Sequence, residues 1–185
     1  MRLVTSAVMA TLALTLSACG GDDPPPPEPT TTATTPANPD ATLPPMPEVA
    51  KEFTPSGVST FTRHFVDVMG YAAATGDLQE LQRLSDPQCE GCARYVEFFK
   101  DTYESGGFIR QTWSAPSGSE VRFDKRRQPE AESFVTTDLK ISAGEFRESK
   151  QASTEATSES SDTVTFGLRF DDGWTVTQFW EGKYE

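Results

Sequence analysis

Histidine occurs once in this chain, at His64, and cysteine only three times, at Cys19, Cys89 and Cys92. Each shortage excludes a class of chemistry. A Ser-His-Asp or Cys-His centre would have to be built on His64 alone. A cysteine- and histidine-ligated zinc site needs about four ligands, more than this set supplies once Cys19 is otherwise engaged, so no metal and no cofactor is expected. Basic residues are also few, 16 Lys and Arg against 28 Asp and Glu, for a net charge of -12. With no basic stripe there is no nucleic-acid partner to expect, and with no polybasic patch no electrostatic grip on lipid headgroups. The excess of acid reads as solubility and self-repulsion near an anionic surface. The triplet Lys125-Arg126-Arg127 is too short to argue for phosphate binding and reads as a solvated turn. Gly-rich phosphate loops and paired-carboxylate motifs are missing too. Beyond Cys19 no apolar run is long enough to span a bilayer.

The N-terminus is what the chain does have. One basic residue, Arg2, precedes an uncharged run from Leu3 to Ala18 rich in Ala, Leu, Val and Met. This is the n-region and h-region of an export signal, too brief for a lasting membrane span. The run ends Leu16-Ser17-Ala18-Cys19, which resembles the lipobox of bacterial lipoprotein precursors. The resemblance implies a signal peptide over residues 1–18, cleaved to leave Cys19 as a lipidated first residue. Two acyl chains hold a protein stably on a membrane where one does not. The expected location is the extracytoplasmic face of the cell membrane, and the expected partner there is the membrane itself, through the lipid. Losing Arg2 with the leader takes the mature charge to about -13.

Residues 19–52 form a second region. From Gly20 to Glu52 the chain holds ten of its 14 prolines and almost no large apolar side chain. Such a composition cannot bury enough surface to offset its ordering entropy, so a disordered stalk is expected. In polyproline II at ~3.1 Å per residue it would reach up to about 100 Å. The threonines between Thr30 and Thr35 are a compositional candidate for O-linked sugar.

Residues 53–185 have the patterning of a folded domain. Val58–Thr75 carries Phe61, Phe65, Val68 and Ala72 at helical spacing, and Gly76 is placed to close that helix in the left-handed conformation. Asp77 and Glu80 have capping-box spacing ahead of Leu78, Leu81 and Leu84, which predicts a second helix. Asp86-Pro87 predicts the start of a third, continuing through Ala93–Ser105 with Cys92, Val96, Phe99 and Tyr103 on one face and Tyr95 and Phe98 beside it. After Gly106-Gly107 the period changes to two. Phe108–Ser114, Glu120–Lys125, Ser133–Ile141, Thr163–Phe170 and Trp174–Glu181 read as five strands, and Asp171-Asp172-Gly173 as the hairpin turn between the last two. Glu145–Asp162, rich in Ser, Thr and Glu, reads as a long exposed loop or frayed edge. Helices first and antiparallel strands afterwards give an α+β domain, three helices packed on one face of a curved antiparallel sheet of about five strands.

The helix ending Tyr71–Asp77, the two helices after it and the strands closing on Asp172–Trp180 resemble the nuclear-transport-factor-2-like fold, the cystatin-like cone shared with ketosteroid isomerase. The stretch "TGDLQELQRLSDPQCEGC" is similar to an actinobacterial family of small lipoproteins of unknown function. The likeness covers about residues 56–182. It implies a cone-shaped domain able to enclose an apolar cavity. The side chains placed to line it are Phe61, His64, Phe65, Tyr103, Trp113, Asp138 and Trp180, although a domain of this size also needs large side chains merely to fill its core. No residue matches the isomerase's catalytic set.

Cys89 and Cys92 admit three readings: redox centre, half of a metal site, structural clip. A redox pair of the thioredoxin kind follows a strand, and helix is expected before Cys89. Export into an oxidising compartment and the use of Cys19 by lipid favour a disulfide between the remaining two. The function expected is a non-enzymatic binding or interaction domain tethered at the envelope, engaging an envelope protein or a small apolar ligand. The alternatives are an enzyme or apolar-ligand carrier using a cone-shaped pocket, and a thiol–disulfide oxidoreductase. Cys19→Ser should move the protein from the membrane fraction to the soluble fraction on cell fractionation; a variant that stays with the membrane would refute the lipobox.

Overall fold

A computed structural model describes residue 38 and residues 40–116, 118–125 and 132–184. The leader, Cys19, most of the proline-rich stalk and Arg126-Arg127 lie outside the described residues. What is described belongs to one compact unit, Ala33–Glu185.

Helix α1 (Pro55–Thr75) starts where Thr54 Oγ1 accepts from Gly57 N at 2.9 Å, with proline in its first turn, where no amide partner is needed. It stops at Gly76, whose φ of 77° is left-handed and whose amide donates to Ala72 O. A Cβ at Gly76 would also meet the Tyr103 ring at 2.6 Å. The face predicted to be apolar, Phe61, Phe65, Val68 and Ala72, is fully buried.

Helix α2 (Gln79–Leu84) lacks the expected capping box. Leu78 occupies the cap position, while Asp77 Oδ1 accepts from Gln79 N and Asp77 Oδ2 from the Tyr71 hydroxyl. Glu80 turns to Arg83, which donates twice to it at 2.6 and 2.7 Å. A guanidinium one turn along is a stronger partner for a carboxylate than a backbone amide. Helix α3 (Glu90–Glu104) begins later than Asp86-Pro87 suggests, with Cys89 as its cap. Asp86 is engaged elsewhere. Its amide donates to Val176 O, and its carboxylate takes Gln88 N and the Arg169 guanidinium at 2.7 Å.

Eight strands follow among the described residues: β1 (Gly106–Arg110), β2 (Trp113–Ser114), β3 (Glu120–Arg122), β4 (Glu132–Ile141), β5 (Gly144–Ser149), β6 (Glu155–Thr157), β7 (Ser160–Phe170) and β8 (Trp174–Glu181). Five make an antiparallel sheet ordered β2-β4-β7-β8, with β3 also on β4; β1-β5-β6 make a second. The chain passes between the two sheets twice at one place, from β1 to β2 and from β4 to β5. The run predicted as one strand over Phe108–Ser114 breaks at Gln111-Thr112, opposite the break at Ser142-Ala143. There Thr112 N donates to Ser142 Oγ and Ser142 N to Thr112 O. The fold class is α+β, as expected, with two antiparallel sheets holding eight strands among the described residues where the pattern indicated one sheet of about five. The region 145–162 is the clearest correction: it contains β5 and β6 rather than a loop. Phe146 stands opposite Ile109 and Arg147 opposite Phe108. Backbone pairing makes these strands despite their polar composition, β5 between β1 and β6 and β6 at the edge.

The hairpin turn sits where Asp171-Asp172-Gly173 predicted it, with Asp172 at φ 60°. The chain before Phe53 differs from its reading as stalk. Glu48–Lys51 is a short 3₁₀ helix with Ala50 buried, and Trp174 Nε1 donates to Glu52 O at 3.0 Å. Phe53 packs against Phe123, Phe170 and Trp174 at 5.0 to 5.7 Å between ring centres. The packed unit therefore begins upstream of the expected boundary. The prolines around this segment do not prevent docking, because a few apolar anchors and one indole hydrogen bond hold it.

Helix α3 crosses close to β8: a Cβ on Gly91 would lie 1.9 Å from Phe179 O. Gly→Ala in a helix ordinarily gains about 1 kcal/mol. Here overpacking against backbone reverses the sign, and Gly91→Ala should lose about 1–3 kcal/mol in chemical denaturation.

Candidate functional site

The side chains predicted to line a pocket do not come together. Phe61 and Phe65 fill the core, and Phe65 meets Phe166 edge-on at 5.8 Å. Tyr103 is a pin between helices: its hydroxyl donates to Ala73 O at 2.7 Å, and burial pushes its pKa up to about 12. Asp138 lies on the opposite face of the sheet from the core, accepting from Thr163 Oγ1. That follows from register, since its neighbours Thr137 and Leu139 face the core. Trp180 also points to that outer face, against Phe134 at 6.1 Å, and lines the cleft described below. Trp113 is buried between α3 and the sheet.

His64 is 2% exposed, on α1 beside Glu80 and Arg83. Burial lowers its pKa below 6.5, opposed by the charges of Asp67 and Glu80. Among the described residues no group of His, Cys, Asp and Glu is arranged to hold a metal ion.

Cys89 and Cys92 are bonded to each other and buried, at 1% and 2% exposure. Cys89 Sγ also accepts from Cys92 N, capping α3. Burial keeps both sulfurs from an attacking thiol, which exchange chemistry requires. The loop is so short that it removes only about 2 kcal/mol of chain entropy. The pair is a clip on the first turn of α3.

A concavity does exist, outside the filled core, between α3 and β8. It is a cleft of about 490 Å³ between Arg94, Tyr95 and Phe98 of α3 and Phe179, Trp180 and Glu181 of β8. Its floor is the Tyr95 ring, stacked on Phe179 at 5.3 Å and edge-on to Trp113 at 5.7 Å. Phe98 is 45% exposed and leans on Phe146 of β5. Burial raises the Tyr95 pKa, helped by the negative charges of Glu181 and Asp162. The hydroxyl therefore stays protonated, between an aromatic floor and an acidic rim. Sequence reasoning placed Tyr95 and Phe98 only beside the apolar face of α3. The available signal was the pair itself, two aromatics one turn apart flanking a face already complete without them.

The chain matches, over residues 28–179, a family described as Family of unknown function (DUF6318), and it belongs to that family. Among solved structures it is similar to a protein described as a Nuclear transport factor 2 (NTF2-like) superfamily protein from Salmonella enterica subsp. enterica serovar Typhimurium str. LT2. The two are 11% identical, with a TM-score of 0.49, over 70% of this chain and 92% of that one. No curated protein matches the chain.

The state of His64 gives a prediction with a definite sign. The unfolded chain takes up a proton near pH 6.5 while the folded chain resists it, so lowering the pH through and below 6.5 favours unfolding. Between pH 7 and 5 the wild type should lose stability in urea titrations. His64→Asn should flatten that slope, and an unchanged slope would show that His64 is not its source.

Proposed function

We propose that this protein is a cell-envelope lipoprotein, held through Cys19 at the extracytoplasmic face of the membrane, whose α+β domain binds a small apolar ligand in the cleft between α3 and β8. The observation that carries the reading is the cleft. Its volume of about 490 Å³ falls within the range of small-molecule sites, roughly 300–1,000 Å³, and aromatic rings with a few charged groups at the rim are the lining such sites use. Phe98 is one of four large apolar side chains among the described residues that are markedly exposed, and it stands at this cleft. The lipobox and the disulfide pair both suit an exported protein. No catalytic role is assigned: the one histidine is packed in the core and does not line the cleft.

The test uses N-phenyl-1-naphthylamine, a neutral dye that brightens in apolar sites, titrated into the chain from residue 19 carrying Cys19→Ser so that no lipid competes. The dye should bind with a micromolar Kd, and Phe98→Ser should weaken it about tenfold with little effect on stability. Absence of binding, or equal binding by the variant, would overturn the assignment of the cleft.

A further inference from the structure

Several arginines of this domain are paired with a carboxylate: Arg83 with Glu80, Arg110 with Glu145 and Arg169 with Asp86. Three charges around the cleft are not paired. Arg94 on its α3 wall, Glu181 on its β8 wall and Asp162 of β7 are exposed, and none takes part in a salt bridge among the described residues. Pairing register places the two acids together. Val164 stands opposite Glu181, and Asp162, two residues before Val164 on β7, projects to the same face. That face is the inner one. Asp162 is opposite Leu139, which is buried like Val164, and Phe179, two residues before Glu181, is the ring on which Tyr95 stacks.

The Tyr95 hydroxyl feels all three charges. Burial raises its pKa most, Glu181 and then Asp162 raise it further, and Arg94 opposes them. The two carboxylates thus outweigh the guanidinium at this end of the cleft. Around them the cleft is lined by the rings of Tyr95, Phe98 and Trp180. An aromatic ring is negative on its face, and a cation within about 6 Å of its centre is attracted to it. The chain as a whole carries a net charge of -12, which draws cations rather than anions to its surface. An anion would meet one guanidinium here against two carboxylates, and a plain hydrocarbon would leave every charge unused.

Resting on the binding role proposed above, we infer that the ligand of the cleft is an apolar molecule bearing one cationic head, a quaternary ammonium or a protonated amine. Glu181 and Asp162 hold the head, and the rings of Tyr95, Phe98 and Trp180 take the apolar part. The attraction is electrostatic and needs no N–H on the ligand, so a quaternary head is served as well as an amine. Arg94, on the opposite wall, repels the head and so directs it to the β8 side. Removing Glu181 and removing Arg94 must therefore act with opposite signs, which a merely apolar cleft would not show.

Benzyltrimethylammonium and neopentylbenzene test this, since they share one shape and differ only in a cationic nitrogen against a carbon. Equilibrium dialysis against the chain from residue 19 carrying Cys19→Ser should give a Kd about tenfold lower for the ammonium. Glu181→Gln should raise the ammonium's Kd about fivefold, Arg94→Gln should lower it about twofold, and neither should move the hydrocarbon's. Both side chains are exposed, so both variants should fold. Glu52→Gln removes a charge at the Trp174 end of β8, the far end from Glu181, and should leave both Kd values unchanged. Equal binding of the two probes, or tighter binding of 3-phenylpropanoate than of the ammonium, would overturn the cationic head and leave the apolar cleft standing. So would an ammonium Kd that Glu181→Gln does not raise, or that Glu52→Gln raises as much. Failure of both probes and of the naphthylamine dye would overturn the binding role itself.

Discussion

The crossing at Gln111-Thr112 and Ser142-Ala143 is the constraint on which the rest of the domain depends. Two adjacent strands break pairing at the same level, where Ser142 N donates to Thr112 O and Thr112 N to the Ser142 hydroxyl, so β1 passes to β2 and β4 to β5 at one place. The five-stranded sheet beside it turns Val135, Leu139, Val164, Phe166, Leu168 and Val176 inward on one face, all buried. Everything apolar on α1 and α3 must then be buried against that face or exposed to water, and the hydrophobic term decides for burial. Val135, Phe166 and Phe179 form one rung of that face, and Phe65 and Tyr95 close over it from the two long helices.

How the inner face is used follows from size. A domain of this length must bury large side chains to reach a stable core. Phe61, Phe65, Phe99 and Phe166, each at 1% exposure or less, occupy the space that a roomier fold could leave open. Filling leaves the open cleft outside the core, where α3 passes β8 and where Tyr95 and Phe98 are more rings than the core requires. The short clip at Cys89–Cys92 and the close approach at Gly91 both hold the first turns of α3 against β8. They keep the two walls of the cleft in register with each other.

Much of the fold was legible because periodicity is a local property. Phe61, Phe65, Val68 and Ala72 can share a face only in a helix, and Val164, Phe166, Leu168 and Phe170 only in a strand. Gly76 and Asp171-Asp172-Gly173 end their elements through backbone preferences that need no tertiary partner. The errors fell where a distant residue outbid a local one. Asp86 caps nothing because Val176 and Arg169 claim it; Glu80 leaves the capping box for Arg83; β5 is a strand because β1 lies beside it. The docked segment before Phe53 belongs with these, since Trp174, which holds Glu52 O, lies more than a hundred residues further along the chain.

The candidate site was the least legible part. Of the seven side chains expected to line a pocket, Trp180 alone borders the cleft, with Trp113 against its floor. The sequence by itself determined the class of fold, the order and kind of the main elements and which rings are available, all of which follow from local spacing. Only the tertiary structure decided that the interior is filled, that the cleft opens between α3 and β8, and that Cys89 is bonded to Cys92. Packing and hydrogen-bond satisfaction are sums over neighbours from every part of the chain, and no stretch of sequence contains its own neighbours.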